Sequence, residues 1–164
     1  PARGLIGFQT EFRTMTSGLG LLFHVFDHYA PVSEREIASR QNGVMISNGQ
    51  GTVLGYSLFN LQERGKLMCA HGDEVYEGQV IGIHSRENDL VVNPLKGKKL
   101  TNMRAAGKDE NIVLTTPIRY TLEQAMEFIE DDELVEITPS SIRIRKRALK
   151  EQDRKRSGRA SESE

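Results

Sequence analysis

The sequence predicts an α+β chain: a helix-strand piece at the start, then a mostly antiparallel β domain with one long helix, then a basic tail. Three observations predict it. Leu5, Phe8, Phe12 and Met15 recur at steps of three and four, which puts them on one face of a helix. Residues 44–92 fall into short apolar runs separated by Gly, Asn and Asp, the pattern of short strands and turns. Thr121 with Gln124 forms a capping box ahead of an apolar helical stripe, the hydroxyl and the amide side chain each satisfying an orphan backbone N–H.

The elements follow in order. Ser17 and Gly18 end the first helix, because glycine takes a left-handed C-terminal position without a Cβ clash. Residues 21–29 are almost continuously apolar or aromatic at strand length, which suits a strand covered on both faces. One helix and one strand cannot bury each other fully, so the partner strands are expected upstream and the chain is expected to be a fragment. Pro31 breaks the strand, and a domain boundary is placed between Arg35 and Arg40, giving units 1–35, 36–149 and 150–164.

Residues 44–47 and 52–59 are expected to pair as a hairpin around Asn48 and Gly49, a dipeptide that supplies the positive φ values of a tight turn. A turn at 60–65, a strand at 66–70, a turn at 71–78 feeding a strand at 79–84, and a short strand at 90–92 follow. Residues 93–110 have no clean period and make a long connection, a class of segment that is usually functional or disordered. Residues 111–115 are expected as a strand. The capped helix runs to about Asp131 with Leu122, Ala125, Met126 and Ile129 buried. Strands at 133–138 and 142–147 flank a turn at 139–141, with Ile142 and Ile144 pointing one way and Arg143, Arg145 and Arg147 the other. From Lys150 the apolar residues give out, and disorder is expected.

Net charge is only -1, but the charges are segregated. Acids crowd residues 123–136, whereas bases crowd 143–159 and Lys96, Lys98, Lys99, Arg104 and Lys108. Such polarity suits a polyanionic partner, although solvated faces give the same pattern. Cys69 has no second cysteine to pair with, and no apolar run approaches the ~20 residues of a membrane span, so a cytoplasmic protein is expected. Cys69 is read as a core residue.

No catalytic, cofactor or metal site is expected. Gly97-Lys98-Lys99 lacks the upstream glycine and the hydroxyl of a phosphate-cradling loop, and Gly49-Gln50-Gly51 is explained by a turn. His24 and His28 lie roughly 13 Å apart along a strand, too far to chelate one metal unaided. The basic connection is the strongest chemical signal. Lys96, Lys98, Lys99, Arg104 and Lys108 are suited to phosphates, and Asn93, Thr101 and Asn102 to sugar or base edges, with Arg143, Arg145 and Arg147 as a second RNA-contacting face. No aromatic lies between Asn93 and Asn111, so stacking is not expected there.

Several runs carry a resemblance. Residues 4–29, including Gly4-Leu5-Ile6-Gly7-Phe8 and Phe26-Asp27-His28-Tyr29, resemble the last helix and strand of the ferredoxin-like fifth domain of elongation factor G. The runs 40–44, 47–51, 61–66, 74–78, 83–88 and 98–104 are similar to the carboxy-terminal region of the BipA (TypA) family, ribosome-associated translational GTPases. That resemblance implies a non-catalytic module binding rRNA and the tRNA acceptor end, in a protein implicated in large-subunit assembly and stress-responsive translation. It also implies that GTP and Mg are bound by a domain this chain lacks, and that the upstream domains of the same polypeptide are partners. The role at the acceptor end falls on residues 93–110. The alternative is a lipoyl- or biotinyl-like carrier or a protein-interaction domain, because residues 72–81 resemble the carrier turn.

Overall fold

The computed structural model describes residues 5, 8–31, 40–97 and 113–161, with the side chains of 9–11 and 158–161 left out of the description. The first helix, α1 (Phe8–Met15), forms where the 3.6-residue stripe predicts it. It ends in a double hydrogen bond, Gly18 N–H to Arg13 C=O at 2.7 Å and Ser17 N–H to Thr14 C=O at 3.2 Å. Ser17 itself takes a left-handed conformation at φ 51°, with Gly18 at φ 84°. The stop is where the sequence puts it, but a serine shares the position assigned to glycine.

The strand expected at 21–29 is not formed: these residues carry no regular structure. Leu21, Phe23, Val25 and Tyr29 are 77%, 84%, 93% and 95% exposed. A strand is completed by hydrogen bonds to a neighbouring strand, and none of the described strands lies against this segment.

The centre of the molecule is a four-stranded mixed sheet of order β3-β5-β1-β6. It is built from β1 (Val44–Ser47), β3 (Gly65–Leu67), β5 (Val80–His84) and β6 (Leu90–Val92). β5 runs antiparallel to both β1 and β3, while β6 runs parallel to β1. All four residues of β1 are buried, and their alternation divides the core. Met45 joins Val53, Leu58, Leu61, Leu67, Cys69, Ile81 and Val92 on one face. Val44 and Ile46 join Val80, Ala125 and Ile144 on the other.

The first face is covered by α2 (Gly55–Leu61) and by a two-stranded ribbon of β2 (Gly51–Thr52) and β4 (Glu74–Val75). This departs from the expected hairpin. β1 and β2 do not pair, and residues 55–61 are helical rather than extended. Leu54, Leu58 and Leu61 recur at steps of four and three, so the helical period was present beneath the glycine and aromatics that suggested a strand. A short 3₁₀ turn at Gln62–Arg64 then leads into β3.

The second face is covered by α3 (Leu122–Phe128) and the antiparallel hairpin of β7 (Glu133–Ile137) and β8 (Ile142–Lys146). Both halves of the capping box form: Gln124 N–H reaches Thr121 Oγ1 at 3.3 Å, and Thr121 N–H reaches Gln124 Oε1 at 3.0 Å. The helix has seven residues, shorter than the run to Asp131. Met126 is 61% exposed rather than buried, and Tyr120, Phe128 and Ile129 pack in its stead. The tail is also corrected, because α4 (Glu151–Ser161) is a helix where disorder was expected. Its first turn is tied by a Lys155–Glu151 ion pair at 2.6 Å and by Glu151 N–H to Glu77 Oε1 at 3.2 Å. Four of the five strand pairings among the described residues are antiparallel, in keeping with the α+β expectation.

Candidate nucleic-acid interface

The basic connection leaves the sheet at β6 and is fastened to α2 on the departing side and to the 3₁₀ turn after it on the returning side. On the departing side, Ser57 Oγ donates to Asn93 C=O at 2.5 Å, and Leu54 N–H to Pro94 C=O at 3.0 Å. Asn93 Oδ1 accepts Leu95 N–H at 2.9 Å, so the side-chain carbonyl offered to RNA closes a local turn and leaves its NH2 outward. Lys96 is exposed. Lys98, Lys99, Thr101, Asn102, Arg104 and Lys108 lie outside the described residues.

On the returning side, one side-chain amide holds two backbone groups. Gln62 Nε2 donates to Val113 C=O at 3.1 Å, and Thr115 N–H donates to Gln62 Oε1 at 3.0 Å. Residues 113–115 are therefore not the expected strand, since Gln62 supplies the pairing that a neighbouring strand would supply. Ile118 N–H then bonds Leu67 C=O at 2.8 Å, laying the chain along β3.

The second predicted face lies on β8, where the expected alternation holds. Ile144 turns inward with 5% exposure, while Arg143 and Arg145 are half-buried on the other side and Arg147 is exposed. Both half-buried arginines share one acid: Arg143 Nη1 is 3.7 Å and Arg145 Nε 3.8 Å from Glu136. Tyr76 donates its hydroxyl to the same carboxylate at 2.5 Å, and its pKa is pushed up by burial and by that hydrogen bond. One carboxylate cannot neutralise two guanidinium groups. This patch keeps an excess positive charge, smaller than three free arginines would give.

Between the hairpin and residues 118–120 lies a cleft of about 780 Å³, lined by Cys69, Arg119, Tyr120, Ile142 and Arg143 among others. Burial pushes the Cys69 thiol up to about 12, so at neutral pH it is a protonated core group rather than a nucleophile. Arg119 is paired with Asp73 at 2.9 Å. Among the described residues the one acidic trio with metal-like spacing is Glu130, Asp132 and Glu133. Protein cations already fill it, as described below.

Residues 42–151 match the TypA/BipA C-terminal domain, and residues 1–40 match the elongation factor G C-terminus. The chain belongs to the TypA/BipA family. It is 68% identical over 160 residues to "Large ribosomal subunit assembly factor BipA" of Escherichia coli K12, covering 98% of this chain and 26% of that protein. The proteins of that name from Haemophilus influenzae and Buchnera aphidicola are 66% and 62% identical over 163 and 154 residues, or 99% and 94% of this chain and 26% and 25% of theirs. The chain thus spans about a quarter of the length of these curated relatives.

In this member of the TypA/BipA family the two matched regions meet at residues 40–42, and a buried charge network sits at that junction. Arg40 donates from Nη1 to Glu133 Oε2 at 2.9 Å and from Nη2 to Glu133 Oε1 at 2.8 Å, a bidentate fork, while its guanidinium lies 4.4 Å over the Phe128 ring. Lys146, 2% exposed, reaches Asp89 at 2.6 Å, Asp132 at 2.8 Å and Glu133 at 3.1 Å. Burial alone would push the Glu133 carboxyl up, but the Arg40 hydrogen bonds and the Lys146 charge outweigh it and hold it below its ordinary value. Lys146 is likewise held above its ordinary value, its hydrogen bonds to Asp132 and Asp89 outweighing burial.

The sequence reading missed this network. It reads acids 123–136 and bases 143–159 as segregated blocks, yet its own hairpin sets the two blocks opposite each other. The register pairs Glu133 with Lys146 and Glu136 with Arg143. Cross-strand pairing was the available signal.

Proposed function

We propose that this chain is a non-catalytic ribosome-binding module that contacts rRNA and the tRNA acceptor end through residues 93–110, with Arg143, Arg145 and Arg147 as a secondary contact. It acts within a translational GTPase of the BipA type, in the cytoplasm, in large-subunit assembly and stress-responsive translation. GTP and Mg are held by another domain of that polypeptide, and the upstream domains are partners of this chain. No described helix is long and apolar enough to cross a membrane.

One observation carries the reading. Residues 96–110 hold five cations, Lys96, Lys98, Lys99, Arg104 and Lys108, against Asp109 and Glu110, and the described residues on either side, Asn93, Val113 and Thr115, are hydrogen-bonded to α2 or the turn that follows it. The relatives' name as ribosomal assembly factors supplies the polyanion. Binding draws on release of counterions from phosphates as these cations take their place.

Replacing Lys96, Lys98, Lys99 and Arg104 with Ala tests it in sedimentation with ribosomes across a salt series. Affinity is expected to fall, and the slope of log affinity against log salt to shrink by about 3 if all four contact phosphate. An unchanged slope refutes phosphate contact by this segment. The carrier alternative gains nothing from the structure. The tip of the 72–81 turn presents Glu77 and Gly78, and a Cβ on Gly78 (φ +87°) would lie 2.6 Å from the Leu149 Cα, so that tip is packed against the chain.

A further inference from the structure

The outer face of α2 carries two rings. Tyr56 and Phe59 are 37% and 41% exposed, while Ser57, Leu58 and Leu61 turn inward. Three residues apart, the rings are neighbours on the helix surface. Neither ring packs on another among the described residues. At about 100° per residue, Ser57 and Gln62 fall on opposite flanks of this face. These are the two residues that hold the departing and returning ends of the basic connection. The rings lie between its roots.

Exposed cations stand at both ends of this helix. Lys96 stands at the amino-terminal end, where a Cβ on the adjoining Gly97 would lie 3.6 Å from Leu54 Cδ1. Arg64 and Lys66 stand at the other end, just past the helix. All three are exposed, and none makes an ion pair among the described residues. Glu63 is the one acid on the helix-turn face between them. Exposed rings between unpaired cations are the two components that single-stranded nucleic acid uses, base faces on the rings and phosphates on the cations. Paired bases would not serve, because their faces are already stacked within the duplex.

We propose that Tyr56 and Phe59 form a stacking platform for unpaired bases of a single-stranded RNA segment whose phosphates run between Lys96 and the Arg64/Lys66 pair. The inference rests on the RNA-binding reading above and deepens it. That reading supplied phosphate contacts alone, since the basic segment has no aromatic of its own. The rings come from α2, the element to which the residue before that segment, Asn93, is bonded.

The test uses the whole chain and two probes, a short oligouridylate and an abasic ribose-phosphate oligomer of equal length. The sequence has no tryptophan, so Phe59→Trp introduces a single reporter. Its emission is expected to be quenched by oligouridylate and not by the abasic oligomer. Tyr56→Ala and Phe59→Ala are each expected to weaken oligouridylate binding by at least about fivefold with the salt slope unchanged, and together to bring it to the abasic level. Phe59→Tyr should keep affinity, whereas Phe59→Leu, which retains apolar bulk without a ring face, should lose it.

Salt-dependent binding that is indifferent to all these substitutions overturns the platform and leaves the phosphate reading standing. Tryptophan emission already blue-shifted without RNA, and unmoved by it, also overturns the platform, because the chain itself then covers the rings. Absence of binding to either oligomer removes both readings.

Discussion

Lys146 is the residue at which composition and structure diverge most. By type it belongs to the basic run 143–159, yet it is 2% exposed and faces three carboxylates. Periodicity explains how: inward positions of β8 alternate with outward ones, and 146 follows Ile144 on the buried side. Removing one partner from such a group leaves an uncompensated buried charge, a loss of about 3–5 kcal/mol in comparable cases. The network also sets a pH dependence. Glu133 is held below its ordinary carboxyl value of 4.5, so its contribution is fully present above about that pH and is lost as pH falls through the lower folded value. Glu130, pushed up by burial despite Arg40, works with the opposite sign. The expected outcome is a urea midpoint that drops as pH falls below 4.5, with a smaller drop in Glu133→Gln. An identical pH profile in that variant would show that Glu133 does not carry the acid sensitivity.

At the scale of elements, legibility tracked how far each one depends on its own residues. The capping box of α3 and the β7–β8 hairpin were readable because both signals are local, a hydroxyl three residues before an amide and a strict alternation. α2 was not. Tyr56 and Phe59 favour a strand by type, and burial of Leu58 and Leu61 against the sheet decides for a helix. α4 was missed for the opposite reason: its sequence offers little to bury, and an i,i+4 ion pair and the contact to Glu77 hold its start. Residues 21–29 show the limit of reading strands from apolar runs, since a strand exists only with a neighbour.

The basic connection poses the same question, because its returning end is held by a side chain. If Gln62 is that clasp, Gln62→Ala should speed amide hydrogen exchange at Thr115 and leave Met45 and Ile46 in β1 unchanged. Equal protection at Thr115 in both proteins would show that some other group holds the segment.

For the whole molecule, the sheet separates two packed faces. On one side α2 and the 3₁₀ turn after it hold the described flanks of the cationic segment, and on the other α3 and the hairpin bury acids against Arg40 and Lys146. The charge segregation visible in the sequence is thus partly internal. The family relationship was legible from long matching runs, and the family comparison bears it out. Which basic residues remain available was not legible, because that depends on strand register. Crosslinking the chain to large ribosomal subunits and mapping the RNA-modified peptides tests the central claim most directly. The expected adducts fall within residues 93–110, with weaker ones at Arg147. Adducts confined to other parts of the chain, or none at all, would contradict it.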